Sequence, residues 1–403
     1  MLRYRECALN ASIVFACASL AACAPAHAPP TRAATAKPQT VLGSAPAVGC
    51  ADSVLAFRRV VTDFQARQQN VAISVGVLQR GRIVFREASG FASKEAAIPA
   101  DPSSAFSIAS ITKAFTGAAL LKLVEEGRID LDAEIQRYVP DFPHHPSGSP
   151  VTVRMLASHL GGLRHWGPER NEALYARHFD DVRDILPLFR DSAWVPGLRP
   201  LTRYAYSSYG YNVLAMAIQN VSGVPYQQYV TRRILDPLKL QSVQFDRPGL
   251  GGTQRAARYS WYDLVDFHEL TDAPQRVPDW DYSHNLAGGG LIANVDDLLT
   301  FGRAIREPGL LTPTSIALVW TRPSINGVES PMSFGWFPRA NPRRVSISGS
   351  NAGVQAGLTV WNDADLVIAV LANSWGRGSR SGELMDDGRE GLIGRLAAVC
   401  SSW

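Results

Sequence analysis

The stretch Phe106–Gly127, FSIASITKAFTGAALLKLVEEG, decides how the rest of the chain is read. Ile111, Phe115, Ala118, Leu121 and Val124 recur at three- and four-residue steps, which predicts a helix, and Gly127 falls where helices commonly end in a left-handed residue. Near its start stands Ser110-Ile111-Thr112-Lys113. Residues three apart share a helical face, so Lys113 can reach the Ser110 hydroxyl, and a serine in the first turn also feels the positive end of the helix dipole. A serine hydroxyl attacks poorly at neutral pH unless a neighbour takes its proton, which a desolvated lysine can do. The plainer alternative is a capping serine followed by a solvated lysine. Only five lysines occur in the chain, and this spacing occurs once, which favours the catalytic reading.

Ahead of this stretch, Arg3 and Arg5 precede a mostly apolar run from Ala8 to Ala22, too short to span a membrane comfortably. Residues 1–22 read as a secretory signal. Leu20-Ala21-Ala22-Cys23 resembles a bacterial lipoprotein lipobox, which implies cleavage before Cys23, lipidation of its thiol and membrane attachment through that anchor. An ordinary signal cut after Ala26 or Ala28 is the alternative. The Ala/Pro/Thr-rich residues 23–49 then form a tether that holds a body, residues 50–403, off the membrane of a bacterial envelope or periplasm. Two thiols remain in the body, Cys50 and Cys400; in an oxidising compartment they either pair or stay as buried singles. Net charge is +4 with both signs interspersed and no basic tract, so no electrostatic footprint for nucleic acid is present.

In the body, Ala51–Gln68 reads as an amphipathic helix, and Val71–Gln79 and Arg82–Glu87 as strands about a turn at Arg80-Gly81. Arg344–Ser348, Val354–Trp361 and Leu366–Asn373 are again strand-like, and Glu383–Val399 reads as a closing helix. Between these ends the pattern is helical. This predicts an α/β (α+β) fold in which one antiparallel sheet, built from both chain ends and flanked by helices, carries an inserted all-helical lobe at about residues 114–290. Ser110 then lies where the two lobes meet, a favoured place for a ligand cleft. Gly-x-Ser-x-Gly is absent, against an α/β-hydrolase elbow.

Two further clusters carry chemistry. Tyr204-Ala205-Tyr206-Ser207-Ser208-Tyr209-Gly210-Tyr211-Asn212 offers phenols, and a phenolate beside a lysine can act as general base because the ammonium lowers its pKa. Val345-Ser346-Ile347-Ser348-Gly349-Ser350-Asn351-Ala352-Gly353 is a strand ending in small residues, where a substrate can approach the edge and free amides can face an oxyanion. With these in order, the chain resembles the penicillin-recognising serine hydrolases, specifically the class C β-lactamase and D-alanyl-D-alanine carboxypeptidase group. It is most similar to the serine β-lactamase-like proteins named after the mitochondrial member of animals. The likeness runs from about residue 70 to 375 and includes Ser158-His159-Leu160-Gly161-Gly162-Leu163-Arg164-His165 and Ala287-Gly288-Gly289-Gly290-Leu291.

The resemblance implies a β-lactamase/transpeptidase-like fold, with Ser110 as nucleophile, Lys113 as its activating partner and Tyr206 as the base that also protonates the leaving group. The backbone N–H groups of Ser110 and Ser350 then form the oxyanion hole, and Ser208, Ser348 and Gly349 contact a small peptide, ester or β-lactam substrate. Attack yields an acyl-enzyme that water hydrolyses, with no metal or organic cofactor. The chain departs from the family pattern at Ser208, which stands in place of asparagine, and at Ile347, in place of lysine or histidine. Isoleucine cannot hold a substrate carboxylate. Esterase-like or narrower peptidase activity, with weak β-lactamase activity, is therefore expected over efficient penicillin cleavage. The contrasting reading is a non-catalytic envelope protein that binds peptidoglycan peptides or self-associates. His159 and His165 match no usual ligand spacing and are assigned to packing and hydrogen bonding. His268-Glu269 lacks the second histidine of a zinc protease motif, Tyr204, Tyr209 and Tyr211 are read as core or cleft wall, and Trp320, Trp336 and Trp361 as packing.

Overall fold

A computed structural model describes residues 50, 52–167, 172–250, 255–264, 268–270, 272–341, 343–377, 383–388 and 390–400. The expected signal, Cys23 and the tether up to residue 49 lie outside these residues. The chain enters through α1 (Val54–Gln68), whose Phe57, Val61 and Phe64 are buried at three- and four-residue steps. Strands β1 (Ala72–Gln79) and β2 (Arg82–Ser93) follow, joined through Arg80 and Gly81, both at positive φ as a tight primed hairpin turn requires. Next come β3 (Ile98–Pro99) and α2 (Thr112–Glu125); far along the chain lie α3 (Ser208–Ser222), α4 (Leu286–Gly289) and α5 (Val295–Ala304). The C-terminal part supplies β4 (Phe337–Arg339), β5 (Arg344–Asn351), β6 (Val354–Trp361), β7 (Leu366–Ala372) and α6 (Leu392–Cys400).

These strands form one seven-stranded antiparallel sheet in the order β4-β5-β6-β7-β1-β2-β3, so the first long strand lies between its hairpin partner and the last. The register pairs Ile73 with Ala372 and Val77 with Ile368. Strands β1, β6 and β7 are buried at every position, which requires cover on both faces. On one face Ile73, Val75, Val77, Ile368 and Val370 pack with Phe57 and Phe64 of α1 and Leu392 and Leu396 of α6. On the other, Leu358, Val360, Val367 and Leu371 join the main core with Phe115, Leu298, Leu299 and Phe301. Cys50 and Cys400 form a disulfide that ties the start of the body to its end.

The structure departs from the sequence reading in several places. Strand β2 runs on to Ser93, because Gly90 at positive φ (86°) continues the pairing opposite Ala72 where a side chain would collide with the Val71 carbonyl. The closing helix begins at Leu392 and not at Glu383; turns and the glycines Gly388 and Gly391 occupy the segment before it. The inserted lobe is not all-helical. Its Gln244–Phe245 pairs with Leu291–Ala293, just past its end, which pairs in turn with Phe106–Ser107 ahead of it, and within it Tyr259–Ser260 pairs with Gln275–Arg276. Strands of two or three residues are too short to show an alternation in sequence.

Candidate active site

Helix α2 is buried on all sides from Thr112 to Leu121, the pattern of a helix at the centre of a domain. A 3-10 turn, Ala109–Ile111, leads into it and carries Ser110. Ala109 holds a φ of 42°, a strained left-handed value for a residue with a Cβ, immediately before the serine. Strand β5 lies against this turn with no room to spare: a Cβ on Gly349 would sit 2.1 Å from the Ile108 carbonyl oxygen and 3.0 Å from the Ser110 nitrogen. Glycine is required there so that strand backbone can meet nucleophile backbone.

Lys113, one turn into α2, is 0 % exposed. Its Nζ lies 3.3 Å from Ser110 Oγ, 2.9 Å from Ser208 Oγ and 2.6 Å from the Gly288 carbonyl oxygen. Burial pushes this amine well below the ordinary lysine range, toward the neutral form. A neutral amine has two N–H donors and one lone pair. Gly288 and Ser208 can accept the two donors, and the lone pair can then face the Ser110 hydroxyl. The Gly288 carbonyl is held in place by its neighbours: Thr116 Oγ1 donates to Ala287 O at 2.7 Å, the Leu291 amide donates to Thr112 Oγ1, and Asn212 on α3 accepts from Ala287 N and donates to His284 O.

Tyr206 ends the segment that leads into α3. Its hydroxyl is 2.9 Å from Ser110 Oγ, and its ring lies 4.8 Å from Lys113 Nζ. Ser207 is the N-cap of α3, accepting from Gly210 N at 3.0 Å and donating to the Arg164 carbonyl at 2.6 Å. Two histidines fix the preceding backbone, His159 Nδ1 accepting from Ser207 N at 3.0 Å and His165 Nδ1 from Ser208 N at 3.1 Å. Both therefore position the Tyr206–Ser208 segment, and burial keeps His159 neutral by lowering its pKa far below the usual range. Against the lowering expected beside an ammonium, burial raises Tyr206 to about 12, only partly opposed by hydrogen bonds with Ser110 and Ser208, and the same burial lowers the Lys113 amine.

Ser110, Ser208 and Ser350 line one cavity of about 100 Å³, together with His165, Trp166, Tyr282, His284, Asn285 and Asn351. Ser348 and Gly349 are not among its lining residues: Ser348 is half-buried along β5, and Gly349 is buried against the nucleophile turn. Ile347 is 2 % exposed and belongs to the main hydrophobic core, so at the position of the family's strand cation this chain presents sealed apolar packing. Sequence reading missed Trp166, Tyr282, His284 and Asn285 as lining residues. The last three sit just before the glycine run 288–290, and that proximity to a motif was their only signal.

Residues 57–387 match the family described as Beta-lactamase. The chain belongs to the beta-lactamase family. Within this family of serine hydrolases, it is 28 % identical to the human serine beta-lactamase-like protein LACTB, mitochondrial, over 62 % of this chain and 58 % of that one. It is 24 % identical to penicillin-binding protein 4* of Bacillus subtilis (strain 168), over 73 % of this chain and 66 % of the relative. The chain thus matches less than two thirds of the length of either curated relative. The structure of the octameric penicillin-binding protein homologue from Pyrococcus abyssi is similar with a TM-score of 0.67 and 25 % identity, covering 79 % of this chain and 73 % of that one. The beta-lactamase-family fold therefore accounts for the sheet, the inserted lobe and the cavity between them.

Proposed function

We propose that the protein hydrolyses amide or ester bonds through an acyl-enzyme on Ser110. The observation that carries this reading is the convergence on one serine oxygen of Tyr206 Oη at 2.9 Å and Lys113 Nζ at 3.3 Å. Ser110 Oγ attacks the substrate carbonyl carbon and its proton passes to the neutral Lys113 amine. The carbonyl oxygen takes up the electron pair and is held by the backbone N–H groups of Ser110 and Ser350. As the carbonyl re-forms, the bond to the leaving group breaks and the leaving nitrogen or oxygen takes the Tyr206 proton. The Lys113 ammonium then returns its proton to the Tyr206 phenolate, with Ser208 Oγ, 2.9 Å from the amine, beside that path. Water repeats the sequence on the acyl-enzyme and frees Ser110.

The reading extends to esters and narrow peptide-like amides ahead of lactams that need a strand cation, because Ile347 offers none. It includes export to a bacterial envelope and lipidation of Cys23, supported by the N-terminal sequence. The contrasting reading, a binding protein without turnover, draws on the same isoleucine. A fluorophosphonate probe followed by intact-mass measurement separates the two. One adduct on the natural protein and none on Ser110→Ala is expected, whereas no adduct on the natural protein after long exposure favours the binding protein. Hydrolysis of p-nitrophenyl esters, nitrocefin and D-amino-acid peptides then ranks the substrate classes.

A further inference from the structure

A second cavity, of about 520 Å³, lies in the inserted lobe, and none of the residues that line the serine cavity lines it. Its floor is apolar: Phe179, Leu235, Leu240, Val243 and Leu286 are all buried. Its rim is polar, with His178, Asp180, Asp236 and Arg247 exposed. A concave apolar floor of this volume with a few polar groups at its edge is the usual form of a small-molecule site.

The two cavities share a wall. Ser283 and Leu286 line the second cavity, whereas Tyr282, His284 and Asn285 beside them line the one that holds Ser110. On the side of the second cavity, Ser283 Oγ accepts from Phe179 N at 2.8 Å, and His178 Nδ1 lies 2.6 Å from Asp281 Oδ2, whose other oxygen accepts from Ser283 N at 2.7 Å. On the serine side, the Ala287 carbonyl accepts from Thr116 and the Gly288 carbonyl from Lys113. Phe245, also in the second cavity, packs edge-to-face on Tyr226, whose hydroxyl is 2.8 Å from that same Thr116 Oγ1. Because interiors are close-packed, a group that fills one side restricts the wall seen from the other.

The rim sets the sign of the ligand's charge. Asp246 also lines the cavity, but Arg255 Nε, 2.6 Å from its Oδ1, neutralises it. The His178 imidazole is engaged by Asp281. What is left is two carboxylates, Asp180 and Asp236, against the single guanidinium of Arg247. An ammonium suits that negative excess and a carboxylate does not. We propose that this cavity binds a small amphiphilic cation, a primary ammonium on a compact apolar body, and that its occupancy stiffens the wall Tyr282–Leu286 shared with the serine cavity. Neither part depends on turnover, so both stand apart from the hydrolase reading.

Cyclohexylmethylammonium, cyclohexylmethanol and cyclohexanecarboxylate share one apolar body and differ in the charge attached to it. Titrated into the full chain and followed by ligand NMR, the ammonium is expected to bind about fivefold more tightly than the alcohol, the range of partly exposed charge pairs, and the carboxylate most weakly. Asp180→Asn combined with Asp236→Asn is expected to bring the ammonium and the alcohol within about twofold of each other. Gln244 is an exposed residue lining the same cavity, and Gln244→Trp, which sets an indole against the ligand, is expected to weaken all three by about fivefold or more.

Amide hydrogen exchange on the peptide that spans residues 282–288 reads the wall. The Asn285 amide donates to the Tyr282 carbonyl at 2.8 Å, so its exchange reports opening of this turn. With the ammonium at about ten times its Kd, exchange is expected to slow by about fivefold, against the limit of about tenfold reached when opening and occupancy exclude each other. No binding of the three compounds, equal binding, a preference that survives in the double asparagine variant, or affinities untouched by Gln244→Trp would each overturn the site. Binding with exchange unchanged at residues 282–288 would overturn the link through the wall.

Discussion

Lys113 Nζ sits 2.6 Å from the carbonyl oxygen of Gly288, although 175 residues separate them in the chain. A carbonyl oxygen can only accept, so one N–H of the amine is committed to the inserted lobe and the others are oriented by it. The activating group is thus aimed by backbone contributed from far along the sequence. Replacing it by Lys113→Met keeps most of the buried volume and removes the base. kcat/KM for an ester substrate is expected to fall about a thousandfold, with the circular dichroism spectrum unchanged. A folded variant that keeps more than about a tenth of the activity would remove Lys113 from the chemistry.

The pH dependence follows from the same burial. Lys113 must be unprotonated to take the serine proton, so the rate rises with pH through its depressed pKa and levels off well before the ordinary lysine value. Tyr206 must carry its proton to give it away, so activity falls only as pH nears about 12. A kcat/KM profile over a panel of buffers reads both limbs. An acid limb centred on the usual lysine pKa would contradict a desolvated amine.

Gly349 separates the strand from the nucleophile turn, and Gly349→Ala forces a methyl to within 2.1 Å of the Ile108 carbonyl oxygen. Strand and turn must part, which displaces Ser110 from Ser350. The variant is expected to lose at least a hundredfold in kcat, since sub-ångström placement of the oxyanion donors governs the rate, and about 2 kcal/mol of stability by urea unfolding. Retention of full activity would mean that the oxyanion site lies elsewhere.

The Cys50–Cys400 bridge closes a loop that includes nearly all of the body. Removing it by Cys50→Ala with Cys400→Ala is expected to cost roughly 3–5 kcal/mol, the range for long closed loops. Urea midpoints of the natural protein with and without reductant should differ by the same amount as the double variant. Identical midpoints would show that the ends are held by α1 and α6 packing alone.

Much of this architecture was legible in the chain. The apolar steps from Ile111 to Val124 mark α2, and the alternating or continuous β-rich runs at both ends mark the sheet, because long regular elements repeat their pattern several times. Ser110, Lys113 and Tyr206 could be picked out as a group because the resemblance joins three separated motifs. What could not be read is set by tertiary context. The pKa of Tyr206 depends on how deeply the phenol and its lysine neighbour are buried, and no spacing records that. His159 and His165 read as packing and hydrogen-bonding residues, and each accepts a backbone amide of the Ser207–Ser208 turn, but nothing in the spacing names those amides as their partners. Asn285 sits in a loop with no period, and its place beside the serine is visible only once the glycine run folds back over α2.

The strand order carries a last consequence, for biogenesis. β1 needs β7 on one side, and the partner of Ile73 is Ala372. A ribosome threading the chain out from its N-terminus therefore exposes β1 and β2 as an incomplete ribbon until Leu366–Ala372 has been made, so the sheet cannot reach its native state half by half. Delaying collapse by a holding chaperone, or passing the chain unfolded through a translocon, suits such a connectivity better than folding during synthesis.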